Sequence, residues 1–281
     1  VAAVLSVSPF RAAAQTDTTR ADSVRADSVR RDSLAADSGR AFVPVMPSPI
    51  ASGPLGWGAR HVFDVDSLRF SGILTLADLL SRLPGVFVAR GGFYGQGEYL
   101  FYAGRGAASL DVYWDGVPLR PLGRDSVFLD VARIALAPLE RIDVQRLPDR
   151  LRVDLVTLRV PDTEPRTTIG IMTGDLDIQH YRAVFARRFR NGVGVYVGGN
   201  FGSIQGDAQT STGFHGDDLW FKLEYLPRAS LGASYQLLRS SWRRNARANL
   251  VDAVTMARQD GSLRVFLGAN DDAVGWRLLG T

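Results

Sequence analysis

The sequence predicts a small α+β domain of mixed sheet and short helices, followed by antiparallel up-and-down transmembrane β-barrel strands, too few to complete a barrel, with a disordered N-terminal linker ahead of both. Three observations carry this expectation. Residues 15–60 show no apolar periodicity; residues 61–162 mix one helix-spaced leucine series with short strand-like runs and turn dipeptides; and from 166 onward apolar and polar residues alternate at period two, between joins that are short and long in turn.

The composition narrows the classes first. The 281 residues are 46% hydrophobic and 22% charged, as in folded protein. With Cys 0, disulfide scaffolds, thiolate metal centres, cysteine nucleophiles and a lipid-modified N-terminal Cys are excluded. Lys+Arg 33 against Asp+Glu 29 leaves +4, with Lys222 the single lysine. So small an excess argues against nucleic acid, which needs clustered positive charge. No apolar run reaches the ~18 residues of a spanning helix, which leaves spanning strands open, because their signal per segment is weak.

Residues 1–14 read as the back half of a secretory signal peptide: Val1 to Val7 is apolar, and Ala12-Ala13-Ala14 before Gln15 fits a small-residue cleavage site. The alternative is a short apolar arm. At the other end, Trp276 to Thr281 stops inside an apolar run, so the chain reads as a fragment cut at both ends. Residues 15–60 read as disordered linker. Asp22-Ser23-Val24-Arg25, Asp27-Ser28-Val29-Arg30 and Asp32-Ser33-Leu34 repeat every five residues, a step that gathers an apolar face on neither helix nor strand. Pro44, Pro47, Pro49 and Pro54 extend it.

Across 61–162, Leu74, Ala77, Leu80 and Leu83 have helical spacing, with Thr75 as N-cap and Asp78 at its N3 position. Pro84-Gly85 stops that helix, and Val86 to Val88 reads as a strand. Leu110 to Trp114 is a second strand closed by Asp115-Gly116, and Pro118 belongs at a sheet edge. A short helix is expected within Val127–Leu136, a turn at Pro138 to Glu140, and strands at Ile142–Val144 and Val153–Val160.

Beyond 166, Ile178 to Arg190 places Tyr181, Ala183, Phe185 and Phe189 on one face and His180, Arg182, Arg188 and Arg190 on the other. A three-residue loop, Arg190 to Gly192, pairs Phe189 with Val193, Phe185 with Val197 and Tyr181 with Phe201, and sets Gly192 at positive φ. Arg187 is the exception on the apolar face and must snorkel. Leu219 to Tyr225 and Leu231 to Leu237 continue the alternation, with Tyr225 expected opposite Leu231; Ser262 to Ala269 is a further strand and Asn270 to Asp272 a turn. The joins at 190–192, 227–230 and 270–272 are short, and those at 203–217 and 242–261 long and polar. Periodicity alone fits a soluble half-buried sheet as well as a barrel. The signal-like start and the loop alternation favour the outer membrane, where short periplasmic turns alternate with long extracellular loops.

The segment 61–162 resembles the plug domain of TonB-dependent outer-membrane receptors. The run Leu76-Ala77-Asp78-Leu79-Leu80-Ser81-Arg82-Leu83-Pro84-Gly85-Val86 is similar to the family's helix and "LPGV" ending, Gly104-Arg105-Gly106 to its Arg-Gly element, and Asp111 to Pro118 to its strand and "DGVP" turn with Asp115 and Gly116. Leu139-Glu140-Arg141-Ile142-Asp143-Val144 resembles "IERIEV", and Val153 to Arg159 the closing plug strand. Two departures stand out. Arg146-Leu147-Pro148 lacks the family's Gly, with 149–152 short and charged, and no TonB-box strand is evident in 15–60.

The resemblance implies a plug at 61–162 inside a barrel that starts at 166–281, in the bacterial outer membrane, with plug and linker on the periplasmic side. Its barrels have about 22 strands, of which this chain supplies about seven. It implies import of a scarce nutrient (iron chelate, cobalamin or glycan) driven by a TonB-type inner-membrane partner, with outer-membrane lipid around the wall. The alternatives are a plugged barrel that binds or senses without energised transport, and a secreted β-rich binding protein. Arg105 is expected either to pair with a buried carboxylate or to be a solvated loop arginine.

Gly91 to Gly97 lacks the Lys-Ser/Thr of a phosphate loop. It reads as a plug-apex loop where Phe93, Tyr94 and Gln96 touch ligand, or as a flexible turn. His61, His180 and His215 lack metal-ligand spacing, although His215 with Asp217 and Asp218 sits in an expected extracellular loop. Asp111 with Asp115 makes no glycosidase pair, Ser109 and Ser126 lack a nucleophile elbow, and neither an enzyme nor a cofactor is expected.

Overall fold

The computed structural model describes residues 2–3, 40–47, 59–68, 71–73, 75–90, 97–121, 128–175, 177–205, 213–245, 253–267 and 275–280. A two-residue strand β1 (Ala2–Ala3) comes first, and β2 (Ala59–Asp64) leads into the short helices α1 (Val65–Leu68) and α2 (Leu76–Leu80). The expected cap forms at α2. Thr75 Oγ1 accepts from Asp78 N at 3.3 Å, and Thr75 N donates to Asp78 Oδ2 at 3.1 Å, a reciprocal capping box. Leu76, Ala77, Leu79 and Leu80 are buried. Gly85, at φ 80°, turns the chain into β3 (Val86–Arg90), which pairs with β4 (Glu98–Tyr102).

The main small sheet adds β5 (Leu110–Trp114), β6 (Val117–Leu119), β7 (Leu139–Arg146) and β8 (Leu151–Thr157) to β2, in the order β2-β7-β8-β5-β6. The β5–β8 pair is parallel. Asp115 (φ 46°) and Gly116 (φ 77°) are both left-handed, the conformation a two-residue hairpin needs to match strand twist. Pro118 lies on the edge strand, where its missing N–H costs nothing. The imperfect alternation of 153–160 is explained by burial of β8 on both faces.

Two local expectations are corrected, and two strands are additional to those expected. The described part of Val127–Leu136 holds only a single 3-10 turn, Val131–Arg133, capped by Asp130; Leu139 and Glu140 are already strand; and β2 and β4 were not anticipated. The apolar residues of 129–136 serve two neighbours, α2 and β4, so they need no helical stripe.

From 166 the chain is a meander: β9 (Arg166–Gly174), β10 (Ile178–Arg188), β11 (Val193–Ile204), β12 (Phe214–Arg228), β13 (Leu231–Arg244), β14 (Val254–Leu267) and β15 (Gly275–Gly280). Each pairs antiparallel with the next, and β1 lies on the outer edge of β9. The described strands do not close into a barrel. The first hairpin has the expected register, Tyr181 opposite Phe201 and Phe185 opposite Val197, with Gly192 at φ 87°. A Cβ on Gly192 would stand 2.2 Å from Leu226 O. Arg187 stays on the outward face, its guanidinium 4.9 Å from the Phe189 ring centre.

The second hairpin is corrected. Tyr225 faces Ala233, Arg228 faces Leu231, and the register shifts between. A two-residue slip keeps side-chain parity, so face purity alone could not exclude it. The long joins are corrected as well: β11 ends at 204 and β12 starts at 214, β13 ends at 244 and β14 starts at 254. His215, Asp217 and Asp218 therefore stand on strand β12 rather than in a loop. Polar strand ends beyond an apolar band show no apolar alternation, so they read as loop. The Asn270 to Asp272 turn lies outside the described residues.

The outward face carries Tyr181, Phe185, Phe189, Val197, Phe201, Leu219, Leu223, Tyr225, Leu231 and Tyr235, all exposed. Tyr181 to Phe189 spans about 27 Å along the strand at ~3.4 Å per residue, which at the ~35–45° tilt of barrel strands covers about 19–22 Å of the ~25 Å apolar band of an outer-membrane wall. No helix among the described residues is long and apolar enough to cross a membrane. On the inward face, Val184, Ala186, Tyr196 and Trp220 join one core with Leu80 of α2 and Ile142, Val153 and Leu155 of the small sheet.

Residues 40–47 depart from the expectation of disorder. Val43 N donates to Pro161 O at 2.9 Å and Thr163 N to Ala41 O at 3.0 Å, an antiparallel bridge around Phe42 and Asp162. Met46 is buried with Leu226 and Phe266, and Arg188 and Arg264 donate to the carbonyls of Pro44 and Pro47. These partners are remote in sequence, so no local periodicity announces them.

Candidate functional site

The small sheet meets the inner wall through a buried polar cluster built on the Asp115-Gly116 turn. The left-handed turn aims the Asp115 carboxylate back at β8, where Oδ1 accepts from Thr157 N at 2.9 Å and Oδ2 from Thr157 Oγ1 at 2.6 Å. The wall supplies the other half. Gln236 Nε2 also donates to Asp115, and Lys222 Nζ donates to Thr157 Oγ1 at 3.0 Å and to Leu158 O at 3.4 Å. Lys222 further pairs with Glu224 at 2.6 Å, and Glu224 accepts from the Tyr196 hydroxyl at 2.9 Å. Even-numbered positions of β11, β12 and β13 point inward, which is why Tyr196, Lys222, Glu224 and Gln236 converge across three adjacent strands.

Asp115, Thr157, Lys222, Glu224 and Gln236 are all buried. Burial alone pushes the Asp115 carboxyl up; the Lys222 ammonium and the Thr157 and Gln236 hydrogen bonds outweigh it and hold the group below its ordinary range. Gln236 does a second job. Its Oε1 accepts from Trp114 Nε1 at 3.1 Å and Trp220 Nε1 at 3.3 Å, tying one indole of the small sheet to one of the wall. Gly198 faces Trp220, and a Cβ there would stand 3.1 Å from Trp220 Cε3.

A second contact lies nearer the long joins. Arg133, held by Asp130 at 3.3 Å, sets its guanidinium 4.7 Å from the Phe214 ring centre and 4.8 Å from that of Trp242. Asp130 also accepts from Glu98 N at 3.0 Å. The flanks of the 91–96 loop therefore lie at the wall's long-join end. A third contact is Asp162, where Arg40 at 2.9 Å and Arg166 at 3.1 Å join residues 40–47 to the start of the meander.

The residues singled out from the sequence divide into three groups. Asp115 lies at the centre of the cluster, with Gly116 supplying its turn and Pro118 on the adjoining edge. Leu79 and Leu80 are core, Pro84 and Gly85 form the exposed helix stop, Glu140 pairs with Arg159, and Arg141 pairs with Asp143 at 3.0 Å. Gly104, Arg105 and Gly106 lie exposed on a turn. Phe93, Tyr94 and Gln96 lie outside the described residues. Lys222, Glu224, Gln236, Tyr196 and Thr157 were not anticipated as a site; the available signal was a lone lysine on the polar face of a strand, between Trp220 and Glu224. No group of His, Asp and Glu able to hold a metal occurs among the described residues.

Residues 58–153 match the model of the TonB-dependent Receptor Plug Domain. Among solved structures, the chain is similar to the siderophore receptor PirA from Acinetobacter baumannii, with TM-score 0.59 and 15% identity over 74% of this chain and 37% of that one. It is similar to the copper transporter OprC, with TM-score 0.62 and 13% identity over 77% and 35%. It is also similar to the ferric citrate transporter FecA in its unliganded form, with TM-score 0.60 and 18% identity over 85% and 44%. The chain thus spans between about a third and somewhat less than half of the length of these proteins. No curated protein matches it.

Proposed function

We propose, from the premise that this chain carries a TonB-dependent receptor plug domain ahead of antiparallel barrel strands, that it belongs to an outer-membrane receptor importing a scarce nutrient past a displaceable plug. The reading is of a receptor and not an enzyme. The observation that carries it is the chemistry of the seam. The plug coheres through apolar side chains such as Leu80, Ile142, Val153 and Leu155, whereas much of its grip on the wall runs through the charged and amide groups of Asp115, Lys222, Glu224 and Gln236. Separating an apolar core exposes surface that water cannot satisfy. Part of the seam is apolar, where Val184, Ala186, Tyr196 and Trp220 of the wall join the plug's core, but water that enters its polar part solvates each partner as it parts, which lowers the cost of moving the plug off the wall.

Work on the plug then comes from a TonB-type inner-membrane protein acting on the segment ahead of residue 40. Ligand binds from the long-join side, where Phe93, Tyr94 and Gln96 are proposed to meet it. The solved structures with this fold are described as receptors or transporters of siderophores, ferric citrate and copper, which makes a metal chelate the first ligand to try. The test is uptake of labelled ferric chelates by cells expressing the full-length protein, with and without the energising partner. Uptake lost without the partner supports the reading; equal uptake overturns the energised step.

A further inference from the structure

Between the polar cluster and the Arg133 contact, plug and wall stand apart around a cavity of about 260 Å³. Its walls are mainly apolar: Trp114 and Phe128 from the plug side, Trp220, Leu238 and Trp242 from the meander. Two of the indoles are fixed before any ligand arrives, because the Gln236 amide oxygen holds both Trp114 and Trp220. The charged groups at its rim are mostly satisfied. Arg133 is held by Asp130, and Arg258 by Asp260 and by Arg120 O at 2.8 Å. Asp218 differs. It faces the cavity, takes hydrogen bonds from Ser240 and Asn200, and among the described residues has no ion pair. Fixed aromatic side chains beside a carboxylate that forms no ion pair among the described residues, although Arg133 acts on it across the cavity and Arg239 also lines the walls, form a site for a cation attached to a ring, since indole faces attract cations and the carboxylate supplies the counter-charge.

We propose that this seam cavity is a binding site for a small ring-bearing organic amine, its ring between the indoles and its ammonium on Asp218. The proposal rests on the plug-and-wall reading above and gives that seam a ligand class. Arg133 lines the site on the long-join side and Trp114 and Trp220, both held by Gln236, line it on the other, so occupancy and plug position are coupled: moving the plug carries Trp114 and Phe128 away from the indoles of the wall.

The experiment is calorimetric titration of the full-length protein in lipid nanodiscs with phenethylamine, and with phenylacetate as the same ring bearing the opposite charge. Phenethylamine is expected to bind at least tenfold more tightly, Asp218→Asn to erase that preference, and Leu238→Trp to abolish binding by filling the cavity. Equal or tighter binding of phenylacetate, a preference that survives Asp218→Asn, or no saturable binding of phenethylamine overturns the site. The wild-type comparison needs no variant, so a misassembled variant does not rescue the idea. The titration uses no energising partner: failed energised uptake leaves this site standing, and failed amine binding leaves uptake standing.

Discussion

Replacing Lys222 by Met should loosen the plug without dissolving it. Lys222 is almost fully buried; it donates to Thr157 Oγ1 at 3.0 Å and to Leu158 O at 3.4 Å, and its ammonium stands 2.6 Å from Glu224 Oε1 as an ion pair. Methionine keeps most of the volume but removes the ammonium that pairs with Glu224 and acts on Asp115. Removing one partner of a buried pair costs roughly 3–5 kcal/mol, or about 10²–10⁴ in the ratio of docked to undocked plug, at ~1.4 kcal/mol per tenfold. The part of the cost that falls on docking is the loss of Lys222 from Thr157 Oγ1, Leu158 O and Asp115, since the strand ladders and outward apolar band of the wall do not involve its side chain. Hydrogen exchange of the full-length protein in detergent reads both. Amides of Asp115 and Thr157 should lose protection by that factor while those of β12 and β13 keep theirs. The double change Lys222→Met with Glu224→Gln should recover part of the loss, because Glu224 then carries no charge that needs a partner while Asp115 still does. Protection at Asp115 within about threefold of wild type, or equal loss in wall and plug, would refute a latch centred on Lys222.

Acid should release the same latch. The Asp115 carboxyl is held below its ordinary range in the docked state, so its contribution is complete above the unperturbed value of about 3.9 and is lost as pH falls through the docked value. Plug protection should hold from neutral pH down to about 4 and decline below it, and Asp115→Asn should flatten that decline; an unchanged acid limb in the variant would count against it. Gly192→Ala should destabilise the wall by about 1–3 kcal/mol, because φ 87° is strained for any Cβ and the added carbon meets Leu226 O at 2.2 Å; refolding of the full-length barrel into vesicles at graded urea concentrations measures it, and a neutral result rejects the hairpin geometry. Thr75→Ala should cost about 0.5–2 kcal/mol, and the loss should appear in melting of the plug alone, with an unshifted plug transition rejecting the capping box.

Features whose chemistry lies within a few residues were legible in the sequence. The Thr75–Asp78 box, the Asp115-Gly116 reversal, the Gly192 loop and the first hairpin register each follow from neighbours in the chain. Features set by distant partners were not. Residues 40–47 read as spacer because Asp162, Arg188 and Arg264, which hold them, come far later in the chain, beyond the whole of the small sheet. The Tyr225–Ala233 pairing escaped because a slip of two residues leaves every side chain on the same face. The outer halves of β12 and β13 read as loop because Asp217, Ser241 and Arg243 stand above the apolar band. The cluster at the seam was half visible: Asp115 was marked for its turn and Lys222 for its uniqueness, but only the docking of one sheet on another joins them.

Whether the meander is a lipid-embedded wall around a plug is tested most directly by nitroxide accessibility in the full-length protein reconstituted into bilayers. The chain contains Cys 0, so single cysteines at Leu223, on the outward face, and Asn200, on the inward face, can be labelled without interference from others within it. The Leu223 label should relax with dissolved oxygen and ignore a water-soluble nickel chelate, while the Asn200 label should lack that lipid signature. A Leu223 label relaxed more strongly by the nickel chelate than by oxygen would show a water-facing sheet and contradict the barrel wall.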